Sequence, residues 1–246
     1  MVEASDRGNS AIVLLSGGQD SVTCLAWAKA RFERVEVVSF DYEQRHWVEL
    51  DAGERVAQIA GVSRTVVPVN FSQVGSAMND ASVPVALSGG LGGSLPTTFL
   101  PGRNAAFLSI ACGLAASRGI WDVVTGVCQT DYSGYPDCRE AFVRSMQKTM
   151  SLALDREVRI HTPLMDLTKA QTVLLMKDLG KLDWLKHSHT CYEGKRPACG
   201  KCSACVLRLR GFSEAGIPDL IEYEVVSSKD QPERESQATV KAASTR

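Results

Sequence analysis

The chain alternates short apolar segments with segments of helical periodicity, and this order restricts its fold more than any other feature. The apolar segments have the length of buried strands and cover residues 10–15, 35–40, 64–69, 122–127 and 158–161. The segments between them space apolar residues as helices do, and they cover residues 21–31, 47–60, 104–118 and 139–154. Strands that alternate with helices form parallel βαβ units. The sequence therefore predicts an α/β fold with a Rossmann-like, parallel five-stranded sheet and flanking helices.

Local signals mark where some of these elements begin and end. Gly61 follows the second helical segment and is expected to cap its C-terminus. Thr168 is followed three residues later by Gln171, a pattern that predicts a capping box at the start of a further helix. Residues 70–102, in contrast, are rich in Gly, Ser and Pro and contain no predicted element. A loop of this length in a compact domain is usually functional or mobile.

A glycine-containing loop, Ser16-Gly17-Gly18-Gln19-Asp20-Ser21, joins the first predicted strand to the first helix. Ligands of parallel sheets bind at the carboxyl ends of strands, and the free N–H groups of a helix N-terminus attract phosphate oxygens. The two glycines allow the backbone to approach an anion, and the serine hydroxyls can donate to it. No Gly-x-x-x-x-Gly-Lys-Ser/Thr sequence occurs in the chain, which points away from γ-phosphoryl transfer. The loop predicts a pyrophosphate site; the alternative is a simple turn.

Four of the eight cysteines are clustered near the C-terminus. Cys191, Cys199, Cys202 and Cys205 are spaced so that two overlapping Cys-x₂-Cys steps and one further thiolate can surround a tetrahedral Zn²⁺. Four protein ligands leave no open position on the metal, so the ion is expected to be structural. A set of redox-active thiols is the alternative.

Composition limits the partners and the compartment of the chain. The formal net charge is -1, which argues against a binder of nucleic acid that depends on a strong phosphate field. No apolar run has the length of a membrane span, and residues 1–10 lack the apolar core of a secretory signal. We therefore expect a cytoplasmic protein without a membrane partner, whose cysteines are thiols or metal ligands and not disulfides.

Six further segments, taken with the two motifs, carry a resemblance to a known family. They are Phe-Asp-Tyr-Glu-Gln-Arg-His (40–46), Phe-Leu-Pro-Gly-Arg-Asn (99–104), Thr-Gly-Val-Cys-Gln-Thr-Asp-Tyr-Ser-Gly-Tyr-Pro-Asp-Cys-Arg (125–139), His-Thr-Pro-Leu-Met (161–165), Leu-Thr-Lys-Ala (167–170) and His-Thr-Cys-Tyr (189–192). From about residue 11 to residue 220 the chain resembles the QueC family of queuosine biosynthesis, the 7-cyano-7-deazaguanine synthases, within the PP-loop ATP pyrophosphatase superfamily. Two positions depart from the family pattern. Glu43 stands where the family usually has Gly, which puts the backbone of the 40–46 loop in question, and Gln171 replaces a usual Glu but keeps the capping role.

The resemblance implies an adenine-nucleotide alpha-hydrolase-like fold and an ATP-dependent ligase that forms C–N bonds. Enzymes of this family convert 7-carboxy-7-deazaguanine and ammonia to 7-cyano-7-deazaguanine through adenylated carboxylate and amide intermediates, with AMP and diphosphate as products. The implied cofactors are ATP, Mg²⁺ and one structural Zn²⁺ per subunit. The implied partners are the small-molecule substrate, ammonia and a second copy of the chain in a homodimer, with no nucleic acid.

The resemblance and the motifs together assign candidate residues to three roles. The catalytic candidates are Asp20, Arg103 and Lys169, whose charges could meet Mg²⁺, phosphate or developing negative charge. The nucleotide-binding candidates are Leu15, Ser16, Gly17, Gly18, Gln19, Asp20, Ser21, Val22, Thr23, Cys24, Leu25, Phe40, Tyr42 and Gly126. The purine-binding candidates are Asp131, Tyr132, Tyr135, Asp137 and Arg139. Asp131 or Asp137 is favoured for the purine because a carboxylate can accept the adjacent N–H donors of a guanine-like edge. The alternatives are solvated surface charges at Arg103 and Lys169 and a 131–139 loop held by its own hydrogen bonds.

Three other functions fit parts of the same pattern. A tRNA-modifying PP-loop adenylase would need a basic surface and reactive cysteines. A QueC-like enzyme that attaches a deazaguanine to a protein could share the active site. A zinc-bearing nucleotide sensor would bind ATP without turnover.

The motifs divide the chain into three predicted parts. Residues 10–185 form the PP-loop nucleotide-binding domain, and residues 186–224 form a zinc-binding subdomain. Residues 225–246 are polar, with few large apolar side chains, and are expected to be a disordered tail.

Overall fold

The computed structural model describes residues 9–86, 90, 95–130 and 134–224, and its centre is a sheet of five parallel strands. The strands are β1 (Ser10–Leu14), β2 (Arg34–Asp41), β3 (Arg64–Pro68), β4 (Asp122–Val124) and β5 (Arg159–His161). Their spatial order is β3-β2-β1-β4-β5, so the winding direction reverses between β1 and β4. A reversal of this kind opens a crevice beyond the carboxyl ends of the strands. The predicted α/β class and the five-stranded parallel sheet are confirmed.

Six α-helices occur in the described part of the chain. They are α1 (Gln19–Lys29), α2 (Val48–Ala60), α3 (Arg103–Ser117), α4 (Glu140–Ala153), α5 (Lys169–Asp178) and α6 (Ser203–Glu214). Short 3-10 helices cover Pro136–Cys138 and Leu182–His187. Gly61 closes α2 in the left-handed conformation, and Thr168 and Gln171 form both bonds of the capping box, as their sequence positions predict.

The helices cover both faces of the sheet because successive side chains of a strand point to opposite sides. In β1, Ala11 and Val13 pack into the apolar layer that contains α1, α2 and α5, together with Phe212 of α6. Ile12, between them, packs into the layer that contains α3 and α4. The central strand is thus buried on both faces, which explains its unbroken apolar sequence.

β4 is shorter than predicted, since it ends at Val124 and not at Val127. Its neighbour β5 ends at His161, the residue paired with Val124, and Thr125 makes the last bond by donating its N–H to the His161 carbonyl at 3.0 Å. Without a further strand partner, residues 125–128 leave the ladder and line the cavity described below.

Some predictions fall on positions outside the described residues. These are the tail at 225–246 and the candidate purine ligands Asp131 and Tyr132. The domain boundaries also stay predictions, although α6 packs closely on α5. Among the residues that the structure describes, no helix is both long enough and apolar enough to cross a membrane.

Candidate active site

A cavity of about 290 Å³ lies at the carboxyl edge of the sheet, at the reversal between β1 and β4. Twelve of the predicted site residues line it, namely Leu15, Ser16, Gly18, Gln19, Asp20, Ser21, Phe40, Tyr42, Gly126, Arg103, Tyr135 and Lys169. These residues come from five separate parts of the chain, so the fold brings together the motifs that the sequence presents apart.

The phosphate loop, residues 16–21, forms one end of this cavity and is held by its own hydrogen bonds. Ser21 Oγ accepts from the Gly17 N–H at 3.1 Å and donates to the Gly18 carbonyl at 2.9 Å, while Ser16 Oγ accepts from the Gly18 N–H at 3.2 Å. Gly17 has a φ of 103°, and a side chain there would collide with the backbone of α2. No side chain caps the start of α1, so the amide groups at this helix N-terminus stay available to an anion.

Two charged side chains meet at the mouth of this loop. Lys169 Nζ donates to Asp20 Oδ2 at 2.6 Å, although the two residues are 149 positions apart. Lys169 is the first residue of α5, whose capping box fixes where that helix begins. The geometry places one cation and one carboxylate beside the anion site, where they can bind and orient a polyphosphate.

Gln19 has an unusual environment within the loop. Its side chain is only 2% exposed, and neither Nε2 nor Oε1 has a hydrogen-bond partner among the described residues. Buried amide groups are nearly always satisfied, so these two atoms indicate hydrogen bonds completed by a bound molecule or by water.

Arg103 begins α3 on the opposite side of the cavity. Burial would lower the pKa of its guanidinium, but the nearby Tyr42, Tyr135 and Asp137 outweigh that effect, so its pKa is raised and its charge persists. Arg103 is therefore a cation directed towards the cavity and not a solvated surface charge. The aromatic floor beside it is formed by Phe40 and Phe107, whose rings stack at 4.1 Å between centroids.

Asp137 lies behind this wall and not on the cavity surface. Its Oδ2 accepts from the Asn104 N–H at 3.3 Å, and Asn104 Nδ2 donates to its backbone carbonyl at 3.1 Å. Burial raises the pKa of Asp137, and Arg103 offsets this only in part. Arg139 is exposed, immediately precedes α4 and is not among the residues that line the cavity.

Five of the predicted nucleotide-binding residues also lie behind the lining. Val22, Cys24 and Leu25 belong to the apolar core, and Thr23 bonds to the backbone of its own helix. They follow the loop in sequence, but the turn of α1 directs them inward. Gly17 contributes backbone beneath the loop, against α2.

Several lining residues were not among the candidates of the sequence analysis. They are Gln44, His46, Glu49, Asn104, Phe107, Thr125, Cys128, Cys138, Thr190 and Tyr192. Most of them fall inside or beside the segments 40–46, 99–104, 125–139 and 189–192. Those segments, which carry the family resemblance, could therefore have indicated these residues as site candidates. Glu49 had no such signal, because it lies in an ordinary acidic first turn of α2.

The four clustered cysteines form a compact thiol group next to the cavity. Their Sγ atoms all lie within 4.8 Å of one another, and all four residues are buried. The Cys199 N–H points at Cys191 Sγ at 3.4 Å, and the Cys202 N–H points at Cys199 Sγ at 3.3 Å. Four convergent sulfurs, two of which accept backbone N–H groups, suit a thiophilic ion such as Zn²⁺. The segment before them reaches the phosphate loop, where the His189 N–H donates to the Gly17 carbonyl at 2.9 Å.

Comparison with known proteins identifies the family of the chain. The family model described as "Queuosine biosynthesis protein QueC" matches residues 10–216. A 7-cyano-7-deazaguanine synthase of Laribacter hongkongensis is 52% identical over 211 residues, covering 85% of this chain and 92% of that protein. A synthase of the same name from Chromobacterium violaceum is 51% identical over 223 residues, covering 89% of this chain and 94% of that protein. A 4-thiouridine synthetase solved with RNA and bound ATP is a distant likeness, with 16% identity and a TM-score of 0.46 over 87% of this chain and 47% of the other.

The family match spans more than four fifths of the chain, and the relatives are matched over nearly their whole length. The predicted resemblance is therefore confirmed, and the chain belongs to the QueC family of queuosine biosynthesis proteins.

Proposed function

We propose that this chain is an ATP-dependent 7-cyano-7-deazaguanine synthase, which converts 7-carboxy-7-deazaguanine and ammonia to the nitrile. The observation that carries the proposal is the cavity at the β1–β4 reversal, where the phosphate loop faces Lys169 and Arg103. Relatives above 50% identity that bear this name support the same activity.

The chemistry requires the same cavity to be used twice. The substrate carboxylate first attacks the α-phosphorus of ATP, the bond to the β-phosphate oxygen breaks, and diphosphate leaves. Ammonia then displaces AMP from the acyl-adenylate to give an amide. Attack of the amide oxygen on a second ATP releases diphosphate and gives a protonated, adenylated imidate, which loses AMP and two protons to form the nitrile. The chain contributes mainly positioning and charge stabilisation to these steps.

The residues divide between the two ends of the cavity. We assign the leaving diphosphate to the amides of Gly18 and Gln19 and to the hydroxyls of Ser16 and Ser21. The Gly18 amide and the two hydroxyls would exchange their present bonds for bonds to phosphate oxygens. Lys169 neutralises phosphate charge, and Asp20 orients it through their 2.6 Å contact. Mg²⁺ would accompany ATP, because it bridges phosphate oxygens and offsets their charge.

The opposite end is assigned to the purine. Tyr135 and Arg103 line this end, and Phe40 and Tyr42 offer aromatic surface for the nucleotide. Asp131 or Asp137 accepts the adjacent N–H donors of the guanine-like edge. Asp137 lies behind the cavity lining and bonds to Asn104, so its side chain would have to turn towards the cavity to take this role. Asp131→Asn and Asp137→Asn test the assignment, since loss of purine binding in neither variant rejects it.

Cys191, Cys199, Cys202 and Cys205 would hold one structural Zn²⁺ in each subunit. A purified sample analysed by inductively coupled plasma mass spectrometry should contain about one zinc per chain. A homodimer that works in the cytoplasm on free ammonia completes the proposal, and light scattering measures the oligomeric state.

The decisive experiment incubates the full chain with ATP, Mg²⁺, ammonium and 7-carboxy-7-deazaguanine. Mass spectrometry should detect the nitrile together with two AMP and two diphosphate per turnover. Release of ADP and orthophosphate would contradict adenylation. A deazaguanine mass added to a protein would favour the conjugating alternative, and binding of ATP without carboxylate-dependent exchange of diphosphate would favour a sensor.

A further inference from the structure

Glu49 occupies a position that the assigned roles leave unexplained. It lies in the first turn of α2, and its carboxylate lines the cavity directly against the phosphate loop. Its Oε1 accepts from Ser16 Oγ at 2.9 Å and lies 2.6 Å from the point that a Cβ on Gly18 would occupy. An acidic side chain therefore borders a site that is built to bind an anion.

The carboxylate of Glu49 stays ionised in this position. Burial would raise its pKa, but hydrogen bonds from His46 and Ser16 outweigh burial, and the pKa is lowered. The positive end of the α2 dipole acts in the same direction. A partly buried negative charge next to a polyphosphate is unfavourable unless a cationic group shares the space. The position thus points to a substrate or intermediate that carries positive charge.

His46 holds this carboxylate from behind. Its Nε2 lies 2.9 Å from Glu49 Oε2, and since a carboxylate only accepts hydrogen bonds, Nε2 carries the proton of that bond. The imidazole is 95% buried, and its Nδ1 has no hydrogen-bond partner within the described part of the chain. An oriented imidazole with an unpartnered nitrogen can help a carboxylate to hold and to pass on a proton, as in other His–carboxylate pairs.

The proposed reaction provides the missing positive charge on nitrogen. Ammonia exists in neutral water mostly as ammonium, and its attack on an acyl-adenylate first creates a carbon-bound –NH₃⁺ group. The second adenylation creates a protonated imidate nitrogen. Each of these species is a cation with N–H groups, and each must lose a proton before the reaction can continue.

We propose that Glu49, held by His46 and Ser16, is the residue that receives the incoming nitrogen and accepts its protons. This inference rests on the synthase activity proposed above and adds a binding position for ammonium to the same cavity. Ammonium gives one proton to the carboxylate, and the ammonia formed attacks the acyl carbon. The attached nitrogen loses a second proton as AMP leaves, which yields the neutral amide. After the second adenylation the protonated imidate nitrogen gives up two protons, the first to leave a neutral imidate and the second as the C–O bond to AMP breaks, and the carboxylate returns protons to water between steps.

The test separates adenylation from the steps that involve nitrogen. Wild type, Glu49→Gln, Glu49→Asp and the control Asp51→Asn are compared, because Asp51 is an exposed acid on the same helix. Exchange of labelled diphosphate into ATP reports adenylation. Nitrile formation at varied ammonium reports the complete reaction, and hydroxamate formation with hydroxylamine reports attack by a nucleophile that is uncharged at neutral pH.

Glu49→Gln should keep exchange and hydroxamate formation within about three-fold of wild type while its ammonium-dependent rate falls about 100-fold or more. Glu49→Asp should recover part of that rate, and Asp51→Asn should match wild type in all three assays. Equal loss of exchange and nitrile formation would overturn the inference, as would an unchanged ammonium dependence. A raised Mg²⁺ requirement for exchange in Glu49→Gln would make the residue a metal ligand instead. Wild type that lacks exchange altogether would refute the synthase proposal itself, which no result confined to the Glu49 variants can do.

Discussion

Two regions beside the cavity are held in place by different kinds of contact. One is the phosphate loop, and the other is the C-terminal segment, residues 185–219. The loop is fixed mainly by bonds among residues 16–21, and Glu49, Lys169 and His189 contact it from outside. The C-terminal segment is fixed by Arg208 of α6, which is fully buried and donates to the Asp219 carboxylate at 2.8 and 2.9 Å. Arg208 also donates to Ser188 Oγ at 2.7 Å and to the Leu185 carbonyl at 3.0 Å. Most bonds of the phosphate loop join residues that are close in sequence, so the loop was recognisable as a motif. The C-terminal segment depends instead on one buried charge, which bonds to residues 11 to 23 positions away.

The largest expected loss of stability comes from a substitution in the C-terminal segment. Arg208→Met removes the guanidinium and leaves the Asp219 carboxylate, which is 6% exposed, without its counter-charge. Loss of one partner of a buried ion pair costs about 3–5 kcal/mol in the free energy of unfolding. Urea unfolding followed by circular dichroism measures this difference.

The matched control for Arg208→Met is Arg210→Ala on the same helix. Arg210 is 68% exposed and lies 2.6 Å from Glu214, four residues away. Exposed pairs of this spacing contribute about 0.3–0.5 kcal/mol. Arg208→Met should therefore lower the free energy of unfolding several-fold more than Arg210→Ala does. Similar costs would show that Arg208 stabilises α6 locally and does not anchor the cavity wall.

A second long-range contact joins β4 to β5, and none of its residues lines the cavity. Asp122 of β4 accepts from Arg159 at 2.8 and 2.7 Å and contacts His161 Nε2 at 2.7 Å. Burial alone would raise the pKa of Asp122, but these hydrogen bonds outweigh it and lower the pKa to about 2. A carboxyl with a lowered pKa stabilises the fold above its unfolded pKa of about 4 and loses that contribution as the pH falls towards 2.

Asp122→Asn should therefore lower the free energy of unfolding at pH 7 by about 2 kcal/mol and flatten the acid limb of the stability curve. Its turnover at 20 °C should stay at the wild-type value, since the pair does not line the cavity. Thermal unfolding from pH 2 to 8 provides the measurement. A variant whose stability follows the wild-type pH curve would contradict the assignment of the shift to this pair.

The same contrast explains what sequence alone could predict. The alternation of strands and helices, the phosphate loop and the cysteine spacing depend on neighbours within a few residues, so they were recognisable in the sequence. The position of Glu49 depends on how α2 packs under the loop, and that of Lys169 on how α5 reaches Asp20 across 149 positions. Asp137 was predicted at the purine because a carboxylate can accept the N–H donors of a guanine-like edge. That role stays a prediction, and in the structure Asp137 Oδ2 accepts from the Asn104 N–H. Periodicity gives the elements, but the direction of each side chain follows from packing over long separations.

Gln19 tests the phosphate loop. Its amide is buried with both polar atoms unpartnered within the described chain, and each such atom costs free energy while no ligand is bound. Gln19→Met keeps the volume and removes the polar atoms, so the ligand-free protein should gain about 1–2 kcal/mol. Differential scanning fluorimetry should also show a smaller stabilisation of the variant by ATP with Mg²⁺. A variant less stable than wild type would show that the amide already has partners within the protein.

The smallest effect concerns Glu43, where the chain departs from the glycine usual in its family. Glu43 has a φ of 57°, a left-handed conformation that side chains with a Cβ disfavour by roughly 1–2 kcal/mol. Glu43→Gly relieves that strain but adds about 0.4–1 kcal/mol of unfolded-state entropy, so a net gain of about 0.5 kcal/mol is expected. The turn itself is held by the Glu43 N–H, which donates to Asp41 Oδ1 at 3.1 Å, and a glycine N–H can make the same bond.

Asp155→Gly is the matched control, because Asp155 has a φ of 49° and aspartate tolerates this region better than glutamate. In chemical denaturation, Glu43→Gly should gain more stability than Asp155→Gly. The opposite order would mean that the Glu43 side chain itself stabilises the loop that positions His46 next to Glu49.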